Sequence, residues 1–460
     1  MSRRVIEISR FKIGAGQDGL SFRLSEPSDT YVDADIFAPL NCTAQDAEFA
    51  AISGSQLQKD AMRLAGLRLR TSLFGQPAVS QAIQEAITQA KQQGTAVPIY
   101  LYMRDGTQAV EPLPWETLCD PQEQFLALDA RWPIGRMSGG QLGREEQRIY
   151  NPPIRILAFL SAAAISAQGE WDALYDALRT SGMPIALRVF IAEPDLEQHI
   201  NQRAAAPNVQ VDLQYLAQPF DLAQAVENAD FSPHIIHFFC HGSTDDGPSL
   251  LLATKAGWEQ DSSDIEISPE EFRRIPGWDK HLWLVALNCC EGAAAEQETS
   301  SFARTLVTDL KIPAVAAMRE AVKVEDANIF CGSFYTALLR EIKPSLATGE
   351  SFVSVEWARA LVDPRFSICK AYATSNSTKL SSAAAATKEW ALPVIYVRAS
   401  DFKLRAISAL SPLSTPDRVA SKAELEQLRQ VLAELPEDTP LNALVAIKQR
   451  VASLETELLA

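Results

Sequence analysis

Short apolar runs alternate with amphipathic segments through the second half of the chain. Each run has the length of a strand buried on both faces, and such strands belong to parallel sheets covered by helices. An intervening segment, 170–182, has apolar residues at helical spacing and a closing glycine. The pattern predicts an α/β fold, with a mostly parallel sheet covered by helices on both faces. The predicted strands are 154–161, 185–192, 211–216, 234–239, 282–288, 312–318 and 392–398.

Other patterns flank this region. Residues 1–40 alternate apolar and polar positions and read as β structure, 44–94 read as helices, and 97–103 read as a strand. Consecutive prolines at 152–153 mark a boundary. The small polar run 372–388 reads as a mobile loop.

The chain therefore divides into four predicted parts. A capping box at Ser421 and leucines at helical spacing predict a C-terminal helical hairpin. The parts are an N-terminal β element with the start of a helix (1–54), a further N-terminal α+β part (55–150), the main α/β domain (151–398) and the C-terminal helical hairpin (399–460).

Two of the predicted strands end in chemically reactive side chains. The strand at 234–239 leads to His241 and Gly242, and the strand at 282–288 leads to Cys289 and Cys290. In open α/β sheets, ligands bind at the carboxyl ends of the strands. A histidine beside a cysteine there can take the thiol proton and later return it to a leaving group.

Composition narrows the function classes. The net charge of −16 argues against a nucleic-acid-binding surface, because phosphate binding relies on lysine and arginine. No apolar run is long enough to span a membrane, and no secretory signal follows the N-terminal MSRR. Seven scattered cysteines do not read as a disulfide framework, so we expect a reducing, cytoplasmic location.

Five separated segments resemble, in order, motifs of the CHAT family of caspase-like cysteine peptidases, and the resemblance spans roughly residues 55–398. It implies a caspase-like fold with 55–150 as the N-terminal part of the CHAT domain and 151–398 as the catalytic domain. The segments are LPWETL at 113–118, HFFCHG at 237–242, LNCCEG at 287–292, VEDANIFCGSFYTALL at 324–339 and SVEWARAL at 354–361.

The resemblance also implies roles for individual residues. His241 matches the catalytic histidine, and Cys290, directly before Glu291, matches the nucleophile. The backbone amides of Gly242 and Cys290 would form the oxyanion hole. No cofactor is required. The chain departs from the family at Cys289, where a small residue is usual, and after Glu291, where Gly-Ala replaces Ser-Gly.

Substrate contacts are predicted at three positions. Asp246 follows the histidine strand and would favour a basic substrate side chain, although Asp in such a segment is also typical of a solvated turn. Related metacaspases, which cut after Arg or Lys, carry an acid where this chain has Asn288, so we expect an apolar or small P1 residue. Glu291 is expected at the periphery of the site.

Histidines and cysteines are concentrated on the same two strands, which raises the question of a metal. Zinc sites usually take ligands that converge from turns or helices, whereas side chains along strands diverge. We therefore predict no metal among these residues and expect His237 to be a supporting group. The residues are His234, His237, Cys240, His241, Cys289 and Cys290.

Together these features predict a cysteine endopeptidase that cleaves a protein partner through an acyl-enzyme intermediate, in a regulated bacterial signalling or defence role. The C-terminal hairpin would recruit an activator or adaptor, with docking on the catalytic domain as the alternative. Two other functions fit the sequence. One is a catalytically silent caspase-like scaffold, and the other is a cysteine-dependent amidase with a narrow pocket for small molecules.

Overall fold

The structure is a computed structural model. It describes residues 3–13, 17–27, 29–52, 57–218, 220–226, 231–243, 247–275, 277–289, 298–346, 351–407 and 424–430, with residues 432, 447 and 451.

The strands are β1 Arg4–Ile13, β2 Gln17–Glu26, β3 Ala38–Pro39, β4 Ile99–Met103, β5 Ile134–Ser138, β6 Glu145–Tyr150, β7 Ile154–Leu160, β8 Ile185–Ile191, β9 Val209–Tyr215, β10 Ile235–Ser243, β11 Ser249–Leu252, β12 Ile265–Ile267, β13 Leu284–Cys289, β14 Ala314–Met318, β15 Val353–Ser354, β16 Pro393–Val397 and β17 Asp401–Ala406.

The α-helices are α1 Ala47–Ala50, α2 Ala61–Leu73, α3 Pro77–Gln93, α4 Gln168–Ser181, α5 Pro194–Arg203, α6 Leu222–Val226, α7 Lys255–Glu259, α8 Trp278–His281, α9 Glu298–Thr308, α10 Val324–Ile342, α11 Val362–Ser375 and α12 Leu380–Ala386. Within the part of the chain that the structure describes, no helix is both long and apolar enough to cross a bilayer.

One large sheet carries the fold, in the order β3-β2-β1-β4-β5-β16-β14-β13-β10-β7-β8-β9. The strands from β14 to β9 are parallel to one another, whereas β16 is antiparallel to β14. A small second sheet joins β15, β17 and β6. The predicted α/β class with a mostly parallel sheet is confirmed.

The chain changes direction across the sheet at β7. From β7 it adds β8 and β9 on one side, and it then returns to place β10 on the other side of β7. The loops that follow β7 and β10 therefore leave the sheet in different directions. In open α/β sheets such a switch point opens a crevice at the carboxyl ends of the strands.

Helices cover both faces of the sheet. Successive residues of a central strand point to opposite faces, and the residues on each face are mostly apolar. On β10, Ile235 and Phe239 pack with the layer that contains α4, α10 and α11, and Ile236 and Phe238 pack with the layer that contains α9. The same alternation holds on β13, where Ala286 faces the first layer. The layers bury a large apolar area, which is the main stabilising contribution.

The predicted strands agree with the structure to within a few residues, and helix 170–182 is α4, which ends at Gly182 in the left-handed conformation. The predicted loop at 372–388 is wrong, because α11 runs to Ser375 and α12 occupies Leu380–Ala386. Alanine has the highest helix propensity, and Ala383 and Ala384 pack into the core. An all-alanine face lacks the large apolar residues that mark a buried helix.

The predicted hairpin part contains the strand β17 near its start, and residues 424–430 are helical. Most of the hairpin lies outside the described residues. The four domain boundaries stay predictions.

Candidate active site

The ends of β10 and β13 lie side by side. The two strands pair in parallel from Ile235 with Leu284 to Cys240 with Cys289. Beyond Cys240, β10 continues to Ser243 and pairs antiparallel with β11, with His241 opposite Leu251. His241 therefore stands one residue past the last pair with β13, at the switch-point edge of the sheet.

The imidazole of His241 is half-buried, and a backbone carbonyl orients it. Its Nε2 lies 3.0 Å from the oxygen of Ala163, in the segment that follows β7. A carbonyl oxygen only accepts, so Nε2 carries the proton, and Nδ1 is the acceptor atom of the neutral ring. Nδ1 is buried and has no hydrogen-bond partner among the described residues. It is therefore the ring nitrogen that can take a proton from a nucleophile.

The other predicted site residues are only partly described. Gly242 is buried in β10 and paired with Leu250 of β11. Cys290, Asp246 and Glu291 lie outside the described residues.

Asn288 is fully buried near the end of β13. Its Nδ2 donates to Glu170 Oε1 at 2.7 Å and to the backbone oxygen of Ala327 at 3.0 Å. These bonds join the strand to α4 and to α10. A substrate contact by Asn288 stays a prediction.

Sequence reasoning missed a buried polar cluster below this edge of the sheet. His237 lies four residues before His241 on β10 and therefore on the same face of the strand. Its Nε2 is 3.0 Å from Glu170 Oε1. Cys331 of α10 completes the cluster, and burial together with the nearby Glu170 raises the pKa of its thiol well above the usual value. Cys331 and Tyr335, four residues apart in α10, share one buried face of that helix. This spacing was the one sequence signal that polar side chains of α10 face the sheet.

A second buried group lies in the LPWETL segment. The Glu116 carboxylate is fully buried and pairs with the Arg136 guanidinium at 2.8 Å, and Arg365 and Arg319 each lie 3.9 Å away. Burial alone would raise the pKa of Glu116, but the positive charge of Arg136, with the other arginines, holds it below its usual value. Glu116 thus ties the LPWETL segment, which follows β4, to β5 through Arg136 and to α11 through Arg365.

The chain matches a known protein family. The family described as CHAT domain matches residues 66–355. No match is found among curated proteins.

Two crystal structures of the Saccharomyces cerevisiae separase–securin complex are similar at 16% and 15% identity, with TM-scores of 0.29 and 0.31. The similarity covers 67% and 83% of this chain. It covers 15% and 22% of those chains, so this chain spans a small part of their length.

Proposed function

Because the chain belongs to the CHAT domain family, we propose that it is a caspase-like cysteine endopeptidase with Cys290 as nucleophile and His241 as general acid and base. The observation that carries the proposal is the orientation of His241. Its Nε2 is held by the Ala163 oxygen, which leaves the buried Nδ1 as the proton acceptor.

The choice of Cys290 over Cys289 is supported by strand parity. Successive residues of a strand face opposite sides of a sheet. Ala286 and Asn288 contact the layer of α4 and α10, and Cys290 has their parity. His241 has the same parity as His237, which contacts Glu170 of that layer. Continuing the register by one residue would set Cys290 opposite His241.

The proposed reaction proceeds in two steps. His241 Nδ1 takes the Cys290 proton, and the thiolate attacks the scissile carbonyl carbon. The oxyanion is stabilised by the amides of Gly242 and Cys290, and the proton then passes from His241 to the leaving amine. Water, deprotonated by the same ring, cleaves the thioester and restores the free thiol.

The substrate is proposed to be a protein with an apolar or small P1 residue. Asn288 is uncharged and lies where basic-selective relatives carry an acid, and a buried basic side chain without a partner is costly. Asp246 and Glu291 are the proposed acidic neighbours of the groove. If Asp246 instead selects a basic P1, the cleavage profile will be dominated by Arg or Lys and will collapse in Asp246→Ala.

The proposed setting is the bacterial cytoplasm, in a regulated signalling or defence role. Free thiols support a reducing compartment, since the described cysteines Cys42, Cys119, Cys240, Cys331 and Cys369 are unbridged. The C-terminal hairpin is proposed to bind an activator or adaptor. A chain truncated at Pro412 should then keep peptide cleavage and melting temperature while losing the partner. A large fall in both would show that the tail belongs to the enzyme's core.

The experiment that tests the function directly is a comparison of new protein N-termini in cells that express the wild type and in cells that express Cys290→Ala. Peptide bonds cut only by the wild type would give the substrate and the P1 residue together. Identical sets of N-termini, with no Cys290-dependent labelling by a thiol-reactive probe, would favour the catalytically silent scaffold.

A further inference from the structure

A carboxylate, an imidazole and a thiol, three side-chain types that commonly bind metals, converge beside the strand that leads to the proposed nucleophile. Glu170 lies in the first turn of α4, His237 is on β10 and Cys331 is on α10. One carboxylate oxygen, one ring nitrogen and the sulfur lie within 4.8 Å of one another, and all three side chains are buried.

Close packing of the two helices creates this convergence. A Cβ on Gly169 would lie 2.3 Å from Asn328 Nδ2 of α10, which shows how closely α4 packs against α10 beside Glu170. The cluster is therefore built by the fold, with ligands from two helices and one strand.

The cluster contains more buried polar atoms than its own contacts satisfy. Glu170 Oε2 and both ring nitrogens of His237 have no hydrogen-bond partner among the described residues. The 3.0 Å approach of His237 Nε2 to Glu170 Oε1 is close enough for an ion pair but is not directed as a hydrogen bond. Asn288 Oδ1 and Tyr335 Oη are also buried and unpartnered in this part of the structure.

Unsatisfied buried polar atoms are costly, so native proteins keep few of them without a bound partner such as water or an ion. Several unsatisfied polar atoms around one point indicate a bound species that oxygen, nitrogen and sulfur ligand atoms can coordinate together. Among biological cations, zinc and related thiophilic divalent ions take that mixed set.

Charge supports the same occupant. Among the described residues Glu170 has no lysine or arginine within ion-pair distance, and the imidazole of His237 is the one basic side chain that approaches it. A divalent ion bound by the carboxylate, the thiolate of Cys331 and a neutral imidazole makes an electroneutral group, whereas a buried carboxylate without a cation is costly.

We propose that Glu170, His237 and Cys331 bind a thiophilic divalent cation of the zinc class, as a structural site that joins α4, β10 and α10. Of the strand residues considered from sequence, for which no metal was predicted, the site uses only His237, and its other two ligands come from helices.

Asn288 forms a hydrogen bond with one of these ligands, Glu170. Its Nδ2 donates to Glu170 Oε1 at 2.7 Å and to the Ala327 oxygen at 3.0 Å, which orients the carboxylate and ties it to the helix of Cys331. Such supporting groups typically contribute about 10- to 100-fold in metal affinity. The site thus connects the ion to the end of β13.

The test uses the full chain, purified without a metal-affinity tag, with metal content measured by mass spectrometry. The wild type is expected to hold one zinc-class ion per chain, and Cys331→Ser and Glu170→Gln are expected to lose most of it. Asn288→Ala should weaken the affinity about 10- to 100-fold. Cys369→Ser and His234→Gln are matched controls, since each changes a buried thiol or imidazole outside the cluster and should keep the ion.

A second measurement covers variants that fail to fold. Wild-type chain stripped by chelator and reloaded with Co²⁺ should show a thiolate-to-cobalt charge-transfer band, and a folded Cys331→Ser chain should lack it. Folded wild type that retains no zinc or cobalt after incubation with excess ion and gel filtration overturns the proposal. So does equal retention by folded Cys331→Ser and Glu170→Gln. Neither result depends on peptidase activity, so the proposed function is tested separately.

Discussion

His241 of β10 donates through Nε2 to the backbone oxygen of Ala163, 3.0 Å away. This bond joins the end of β10 to the segment that follows β7, its parallel neighbour at the switch point of the sheet. It also selects the tautomer, because the carbonyl can only accept and Nδ1 is left with its lone pair. A backbone carbonyl thus orients the proposed base without a carboxylate.

The first prediction concerns that base. His241→Ala should reduce peptide cleavage by about 100- to 10,000-fold, the usual contribution of a positioned acid–base group. The fold should persist, because the side chain is half-buried and fills little core volume. Cleavage rate and melting temperature are measured together, with the half-buried His281→Ala as control. Full activity in folded His241→Ala would contradict the assignment.

Glu116 should matter for stability. Glu116→Gln removes the charge that pairs with Arg136 and lies near Arg365, and it leaves these guanidiniums buried without a carboxylate. Breaking a buried pair in this way costs about 3 to 5 kcal/mol. The free energy of unfolding is measured by denaturant titration. Glu270→Gln, in an exposed pair, is the control and should change little. An unchanged free energy of unfolding in Glu116→Gln would mean that the pair of Glu116 with Arg136 contributes no net stability.

The packing of α2 against the LPWETL segment gives another prediction. A Cβ on Gly66 would lie 2.1 Å from the Thr117 oxygen and 2.6 Å from Cys119 Sγ. Backbone cannot yield as a flexible side chain can, so Gly66→Ala should lower the free energy of unfolding by about 1 to 3 kcal/mol or more. Gly75→Ala is the control, because its Cβ would meet Ser72 oxygen at 3.4 Å. Equal stability of the two variants would show that the segment moves freely.

His234 should make stability depend on pH. Burial, with the nearby charge of Arg155, lowers the pKa of His234 well below its usual value, so the folded chain keeps the ring neutral. The unfolded chain binds a proton near pH 6.5, at about the usual pKa. Only the unfolded state gains the proton, so the contribution of neutral His234 to the free energy of unfolding is complete above about pH 6.5. Below that pH the free energy of unfolding falls, by at most about 1.4 kcal/mol per pH unit.

The check is the free energy of unfolding between about pH 7.5 and pH 5.5. His234→Gln cannot titrate and should show a shallower pH dependence than the wild type. Equal slopes would mean that His234 is protonated in the folded chain or that its pKa is the same in both states.

Sequence patterns predicted the sheet well because a strand buried on both faces has a nearly continuous run of apolar residues, as at 234–239. They failed at 380–386, where alanines pack into the core without an amphipathic stripe. Glu170 and Cys331 were missed for a different reason. They meet His237 through the packing of α4 on α10, and no local pattern reports a contact between residues that far apart in the chain.

The central claim is that Cys290, with His241, forms the catalytic pair. The most direct measurement is labelling of the full chain by a thiol-reactive peptide probe, followed by identification of the modified cysteine, in wild type, Cys289→Ala and Cys290→Ala. We predict that the wild type and Cys289→Ala are labelled at Cys290 and retain peptide cleavage, and that Cys290→Ala has neither. Labelling and cleavage that survive in Cys290→Ala and disappear in Cys289→Ala would contradict the account.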